Sequence, residues 1–115
     1  MGLGSVKMIA TGSSPVNPET IRFIKAALNV GVSNGYGSTE SFAGFLCSRQ
    51  FDYDPGSIGA IGVSAECRLR DIPEMNYTSK DEGGPRGELL LRGPQIFKEY
   101  YKNPEATAES FDKDG

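Results

Sequence analysis

Residues Asn34–Ser41, NGYGSTES, bring together side chains that suit the binding of a nucleotide. Gly35 and Gly37 carry no Cβ atom, so a ligand can approach the backbone closely at both positions. Tyr36 stands between them and offers a flat aromatic face on which a purine can stack. The spacing therefore predicts a loop that holds an aromatic, phosphorylated ligand.

The second half of this stretch carries oxygen atoms. Ser38 and Thr39 offer hydroxyl groups to phosphate oxygens, and Glu40 offers a carboxylate. Magnesium in proteins is commonly held by one or two carboxylates together with the phosphates of a substrate, so Glu40 is a candidate ligand. The same residues also fit an ordinary helix start, with Ser38 or Thr39 as the cap and Glu40 in the first turn.

A second polar loop, Gly12–Pro15, precedes the first by about one βαβ unit. The apolar run Val6–Ala10 predicts a buried strand, and Asn17 followed by a proline predicts the start of a helix over residues 18–28. A shorter second strand is predicted over residues 32–34, parallel to the first. Because parallel strands end at one edge of a sheet, the loops 12–15 and 35–40 should share a binding crevice. Taken alone, TGSSP is also typical of an ordinary turn from strand to helix.

The remainder of the chain has a different pattern. Apolar residues alternate with polar ones from Ile61 to Leu69, which predicts one half-buried strand in which Cys67 is a small core residue. The segment ELLLRGP predicts a second, antiparallel strand, and Asn103 with Pro104 predicts the start of a terminal helix. The predicted fold class is therefore α/β: a parallel βαβ unit in residues 1–57, then a mainly antiparallel β portion and a helix in residues 58–115.

Composition excludes several classes of function. The chain has 115 residues and a net charge of −3 without a basic stripe, which argues against a nucleic-acid partner. It has no histidine and two separated cysteines, which excludes a Ser–His or Cys–His pair and a four-ligand zinc site within the chain. Both cysteines are expected to be reduced thiols in an intracellular protein. No apolar run approaches the roughly 18 residues of a membrane span.

Three segments, TGSSPVNPE, NGYGSTES and GELLLRGPQIFKEYYKNPEATAESFDKDG, resemble the adenylate-forming acyl-CoA synthetases in order and spacing. That superfamily also includes luciferases and the adenylation domains of peptide synthetases. DIPEMNYTS followed by PRGELLLRGP is most similar to the long-chain fatty-acyl-CoA synthetases. The resemblance implies activation of a carboxylate by ATP with magnesium, release of AMP, and transfer of the acyl group to coenzyme A as cosubstrate.

The resemblance also implies roles for individual residues. It makes Thr39 and Glu40 catalytic, with Thr39 on the phosphate and Glu40 on magnesium. It assigns the binding of nucleotide and substrate to Gly12, Ser13, Ser14, Pro15, Asn34, Gly35, Tyr36, Gly37, Ser38 and Thr39, with Tyr36 stacked on the adenine. Asn34 replaces a longer Gln or Glu of the family, Ser38 replaces an apolar residue, and Ser13 with Ser14 replaces a small apolar pair.

Other parts of the family pattern are missing from these residues: the phosphate-cradling loop that ends in lysine, the ribose-binding aspartate, and the small domain with its catalytic lysine. The resemblance thus implies an internal piece of the large domain, which is inactive alone and needs the remainder of the parent chain. It implies peripheral association with the endoplasmic reticulum or the peroxisome. Two alternatives stay open: a non-catalytic nucleotide-binding or interaction module, and an adenylating enzyme for another carboxylic acid.

Overall fold

The computed structural model describes residues 2–114 and divides the chain into two compact units, one up to Val63 and one from Ser64. The first unit contains strands, one helix and both polar loops. The second contains a strand pair and a short helix. The assignment of residues 1–57 and 58–115 to two parts of one family domain stays a prediction.

The first unit is built on a four-stranded sheet in the order β1-β2-β3-β4. Its strands are β1 (Met8–Thr11), β2 (Gly31–Tyr36), β3 (Leu46–Cys47) and β4 (Ala60–Ile61). β1 and β2 are parallel, with Thr11 opposite Asn34, whereas the pairs β2–β3 and β3–β4 are antiparallel. The predicted parallel pair is confirmed, and the sheet it belongs to is mixed.

Helix α1 (Pro18–Leu28) connects β1 to β2 and has the predicted ends. The side chain of Asn17 accepts a hydrogen bond from the backbone N–H of Glu19 at 2.8 Å, which satisfies one of the free donors at the helix start. Asn29 ends the helix in the left-handed region, with φ of 49°. Local capping therefore fixes both ends of the helix that separates the two parallel strands.

The core of the first unit lies between α1 and the parallel strands. Ile21, Val30 and Val32 are buried, and Ile9 and Ile24 are among the partly buried residues packed against them. The apolar residues of α1 are only partly covered, because Phe23 keeps 70 % of its surface exposed.

The second unit contains the antiparallel pair β5 (Glu66–Arg70) and β6 (Glu88–Arg92), a 3-10 turn (Pro73–Met75) and helix α2 (Pro104–Ser110). The side chain of Asn103 caps α2 by accepting the N–H of Ala106 at 3.1 Å, as predicted. With these elements the chain has the predicted α/β class. In the part of the chain that the structure describes, neither helix is long and apolar enough to cross a membrane.

Two predictions for this region are wrong. The alternation from Ile61 to Leu69 is not one strand, because a turn at Val63 and Ser64 separates β4 from β5. Val63 is fully exposed, so this apolar residue of the alternating pattern is not part of a packed face. Cys67 is also exposed rather than a core residue, because β5 belongs to a two-stranded sheet that does not enclose it. Cys47 and Cys67 are both free cysteines.

Candidate functional site

The two polar loops of the first unit run side by side. Gly12 directly follows β1, and a Cβ atom built on it would lie 3.0 Å from the carbonyl oxygen of Gly35 in β2. That distance is tighter than ordinary packing, so a side chain at position 12 would push the loops apart. Glycine therefore allows the first loop to lie against the strand that leads into the second.

The second loop begins later than predicted. Gly35 and Tyr36 belong to β2, so the loop starts at Gly37 and turns back into β3. The backbone N–H of Phe45 donates to the carbonyl oxygen of Tyr36 at 2.9 Å and closes the antiparallel connection. The prediction of a helix start at Ser38 or Thr39 is wrong, because the chain forms turns here and then pairs with β2. We call residues 37–45 the β2–β3 turn.

Ser41 holds this turn together. Only 1 % of its surface is exposed, and its Oγ accepts a hydrogen bond from the backbone N–H of Ser38 at 2.8 Å. The carbonyl oxygen of Ser38 in turn accepts the N–H of Ala43 at 2.9 Å. Sequence reasoning assigned no role to Ser41, although a serine three residues after Ser38 is a known source of such local bonds. The last hydroxyl of NGYGSTES is thus structural.

The β2–β3 turn requires a glycine at position 37, because its backbone passes very close to that of Ala43. A Cβ atom at this position would lie 1.6 Å from the carbonyl oxygen of Ala43. Phe42 and Ala43 have φ of 52° and 70°, which non-glycine residues seldom adopt. The turn therefore has a tightly defined backbone in which several residues are held in uncommon conformations.

An open cleft of about 500 Å³ lies between the first loop and the β2–β3 turn. It is lined by Ser13, Gly37, Ser38, Thr39, Phe42 and Ala43. Four of these are site residues predicted from the sequence, so the structure brings hydroxyl groups from both loops to one surface. Phe42 and Ala43 were missed, because their place in the cleft follows from backbone angles that the sequence does not reveal.

The other predicted residues do not line the cleft. Gly12, Ser14 and Pro15 lie in the exposed first loop, and Gly35 is half-buried in β2. Tyr36 keeps 38 % of its surface exposed. Glu40 is half-buried in the β2–β3 turn, directly after Thr39.

Asn34 is buried, with 8 % of its surface exposed. Its backbone N–H donates to Oγ of Ser48 at 2.8 Å, and its carbonyl oxygen accepts the N–H of Ser48 at 2.8 Å. Ser33 adds a buried bond from its Oγ to the carbonyl oxygen of Ser48 at 2.6 Å. These hydrogen bonds join β2 to the residue that follows β3, and so stabilise the strand that leads into the β2–β3 turn.

Glu40 is the predicted ligand of a magnesium ion that would be shared with a substrate phosphate. In residues 2–114, no cluster of three or more His, Cys, Asp or Glu side chains could hold a metal ion by itself. Glu40, which follows Thr39 in the sequence, carries one carboxylate. Because magnesium usually takes one or two carboxylates and completes its shell with substrate phosphates and water, a single glutamate is compatible with such a site.

A cleft beyond the carboxyl ends of parallel strands, lined by hydroxyls and glycine backbone, is where α/β domains bind nucleotides and other phosphorylated ligands. The sequence profile of the AMP-binding enzymes matches residues 2–101 of this chain. The chain therefore belongs to the AMP-binding enzyme family, which consists of adenylate-forming enzymes.

Curated relatives agree with this family. The chain is 41 % identical over 112 residues to long chain acyl-CoA synthetase 7, peroxisomal, of Arabidopsis thaliana, covering 97 % of this chain and 16 % of that protein. It is 41 % identical over 113 residues to the long-chain-fatty-acid–CoA ligase 6 of Homo sapiens, with the same two coverages of 97 % and 16 %. The chain thus spans about a sixth of the length of these relatives.

Solved structures share the fold. The adenylation domain of a carboxylic acid reductase from Segniliparus rugosus, in complex with AMP and a co-purified carboxylic acid, matches with a TM-score of 0.78 and 39 % identity, over 93 % of this chain and 16 % of that one. A malonyl-CoA ligase with methylmalonyl-CoA and AMP bound matches with a TM-score of 0.77 and 31 % identity, over 98 % of this chain and 23 % of that one.

Proposed function

We propose that the complete protein to which this chain belongs activates a long-chain fatty acid with ATP and transfers the acyl group to coenzyme A. The observation that carries the proposal is the cleft in which Ser13 of the first loop meets Gly37, Ser38 and Thr39 of the β2–β3 turn. Membership of the AMP-binding family supports a nucleotide in this cleft. The names of relatives that are about 40 % identical support a long-chain acid.

The proposed reaction has two steps. A carboxylate oxygen of the fatty acid attacks the α-phosphorus of ATP, the bond to the β-phosphate oxygen breaks, and pyrophosphate leaves. The thiolate sulfur of coenzyme A then attacks the acyl carbon of the adenylate, and AMP leaves with the electrons of the acyl–oxygen bond. Both steps build negative charge on oxygen atoms, so aligned donors accelerate them.

In the proposed site, the residues of β2 hold the base and the residues of the turn hold the phosphate. Tyr36 stacks on the adenine, supported by its partly exposed position beside Gly35. The hydroxyl of Thr39 donates to a phosphate oxygen. Asn34 contributes at most the small exposed edge of its amide to the adenine amino group.

The first loop forms the opposite wall of the proposed site. Ser13 lines the cleft, and Gly12, Ser14 and Pro15 continue the loop beside it. We assign this loop to the adenine and the start of the acyl chain. Its hydroxyls make the wall more polar than in the family pattern, where small apolar residues stand.

Glu40 is the residue that would hold magnesium. When bound, the ion would neutralise charge on the phosphates and favour the departure of pyrophosphate. The carboxylate of Glu40 also places a fixed negative charge after Thr39, which orients a cation toward this end of the turn.

We further propose that the rest of the catalytic machinery comes from sequence beyond these 115 residues, because the chain spans about a sixth of its relatives. Phosphate positioning by a separate loop and ribose binding by a separate aspartate belong to that part. Relatives named as peroxisomal favour the peroxisome over the endoplasmic reticulum for the complete protein.

A second candidate is an adenylating enzyme for a different carboxylic acid. Its support is the similarity to an adenylation domain of a carboxylic acid reductase and to a malonyl-CoA ligase. Both candidates share the first step, in which a carboxylate is adenylated. They differ in the acid and in the acceptor of the acyl group.

Exchange of labelled pyrophosphate into ATP by the complete protein, measured with palmitate, malonate and benzoate, separates the candidates. We expect exchange with palmitate, and formation of palmitoyl-CoA when coenzyme A is added. Exchange with malonate or benzoate alone would favour the second candidate. Binding of ATP without exchange for any acid would support a non-catalytic nucleotide-binding module and would contradict both.

A further inference from the structure

One large apolar side chain lines a cleft that is otherwise formed by hydroxyls and small residues. Phe42 borders the cleft together with Ser13, Ser38 and Thr39, and 85 % of its surface is exposed. An exposed phenyl ring forgoes the stabilisation that burial would give it. A ring and several hydroxyls in one cleft suit a ligand that has an apolar part and an anionic part.

The β2–β3 turn holds this ring at the cleft. Phe42 has φ of 52°, a conformation that is uncommon for a bulky residue. Its backbone N–H donates to the carbonyl oxygen of Thr39 at 3.3 Å, and its carbonyl oxygen accepts the N–H of Gly44 at 2.9 Å. The preceding residue, Ser41, is buried. Neighbours on both sides thus fix the backbone of Phe42, so its side chain starts from a defined point at the cleft.

The chemistry of an acyl-adenylate decides which apolar group meets this ring. In such a molecule the phosphate joins the purine nucleoside on one side to the acyl chain on the other. In the sequence, Tyr36 at the end of β2 stands three residues before Thr39, and Phe42 in the β2–β3 turn stands three residues after it. With Tyr36 on the purine and Thr39 on the phosphate, the second ring is left for the hydrocarbon chain.

We infer that Phe42 is a specificity-determining residue whose ring contacts the hydrocarbon chain of the carboxylic acid. This inference rests on the proposed function. The ring gains favourable contact with each methylene group that reaches it, so it favours acids whose chain extends past the cleft. The polar first loop, with Ser13 on the opposite wall, makes this ring the main apolar surface of the cleft.

The test compares Phe42→Ala and Phe42→Leu with the unmodified protein in ATP–pyrophosphate exchange, using butyrate and palmitate. We expect Phe42→Ala to lower kcat/KM for palmitate about tenfold and for butyrate less than about twofold, the scale of lost apolar contacts in a pocket. Phe42→Leu should recover most of the palmitate activity, and KM for ATP should not change. Phe23→Ala is the matched control, because Phe23 is an exposed phenylalanine on α1 that does not line the cleft.

Four outcomes would overturn the inference. Equal losses of kcat/KM for palmitate and butyrate, together with a lower Tm, would show that Phe42 has a structural role. A raised KM for ATP would show that the ring contacts the purine. An unchanged ratio between palmitate and butyrate in a protein that still exchanges pyrophosphate would refute the inference while leaving the proposed function intact. Absence of exchange in the unmodified complete protein would instead refute the proposed function, and the inference with it.

Discussion

At the scale of single residues, Thr39 lines the cleft and belongs to the NGYGSTES stretch. Thr39→Val removes the hydroxyl and keeps the shape of the side chain. Because a donor to a developing phosphate charge is lost, we expect kcat for adenylation to fall by about ten- to a thousandfold. Thr39→Ser, which retains the donor, should stay within about tenfold of the unmodified protein. Pyrophosphate exchange at saturating ATP measures the activity of both variants. Equal activity of the two would show that the hydroxyl of Thr39 does not bind the phosphate.

Glu40→Gln tests the carboxylate beside Thr39. The change keeps the size of the side chain and removes its negative charge, so adenylation should fall at least about a hundredfold, or about 2.7 kcal/mol of barrier. A magnesium titration of pyrophosphate exchange should show a raised requirement for the ion. Glu82→Gln, an exposed glutamate of the second unit, is the control. A variant with a lower Tm but normal turnover would show that Glu40 only stabilises its own turn.

At the scale of secondary-structure elements, the β2–β3 turn depends on one buried hydroxyl. Ser41→Ala leaves the N–H of Ser38 without its acceptor. We therefore expect the free energy of unfolding to fall by about 1–3 kcal/mol, measured by denaturant titration. Ser5→Ala, at an exposed serine of the same unit, should change it by less than about 0.5 kcal/mol. Equal effects of the two substitutions would contradict the anchoring role.

The same turn depends on a glycine. Gly37→Ala would place a methyl group 1.6 Å from the carbonyl oxygen of Ala43, so the turn must open. We expect a loss of roughly 3 kcal/mol in the free energy of unfolding, together with loss of adenylation. Gly83→Ala is the matched control, because nothing lies within 4 Å of a Cβ atom there. A fully active Gly37→Ala protein would contradict the described turn.

The loop between β5 and β6 should respond to acid. The pKa of Asp71 is lowered, first because its carboxylate accepts the backbone N–H of Ser79 at 2.8 Å and further because of the hydroxyls of Ser79 and Thr78. The native state thus favours the ionised carboxylate, and its stabilisation is complete above the ordinary pKa of aspartate. It is lost as the pH falls through the lowered native pKa. Thermal unfolding at several pH values should show a shallower acid loss for Asp71→Asn, and equal slopes would contradict this.

Sequence patterns predicted the elements whose signals are local. The cap at Asn17 and the proline after it lie within or next to α1, so the sequence alone was enough to predict this helix. A helix between two strands is the usual connection of a parallel pair, so β1 and β2 could be predicted to be parallel. The prediction of one strand from Ile61 to Leu69 was wrong because an alternating pattern of apolar and polar residues gives no information about a turn such as the one at Val63. The cleft was predicted through Ser13 and Thr39, whereas Phe42 enters it through a left-handed backbone angle that depends on tertiary contacts.

At the scale of the whole molecule, the 115-residue chain supplies only part of the site that we propose. We expect this chain alone to release no pyrophosphate from ATP and palmitate, because the groups proposed to position the phosphates lie outside it. The complete protein, assayed in parallel, provides the positive control. Measurable release by the chain alone would show that the cleft of the first unit suffices for catalysis.

The central claim is that the cleft between the first loop and the β2–β3 turn holds the adenylate. Its most direct test is a crystal structure of the complete protein with a non-hydrolysable acyl-adenylate analogue. We predict the adenine against the ring of Tyr36, the phosphate substitute within hydrogen-bond distance of the Thr39 hydroxyl, and the acyl chain beside Phe42. An analogue bound elsewhere, with no contact to Ser13, Tyr36 or Thr39, would contradict the claim.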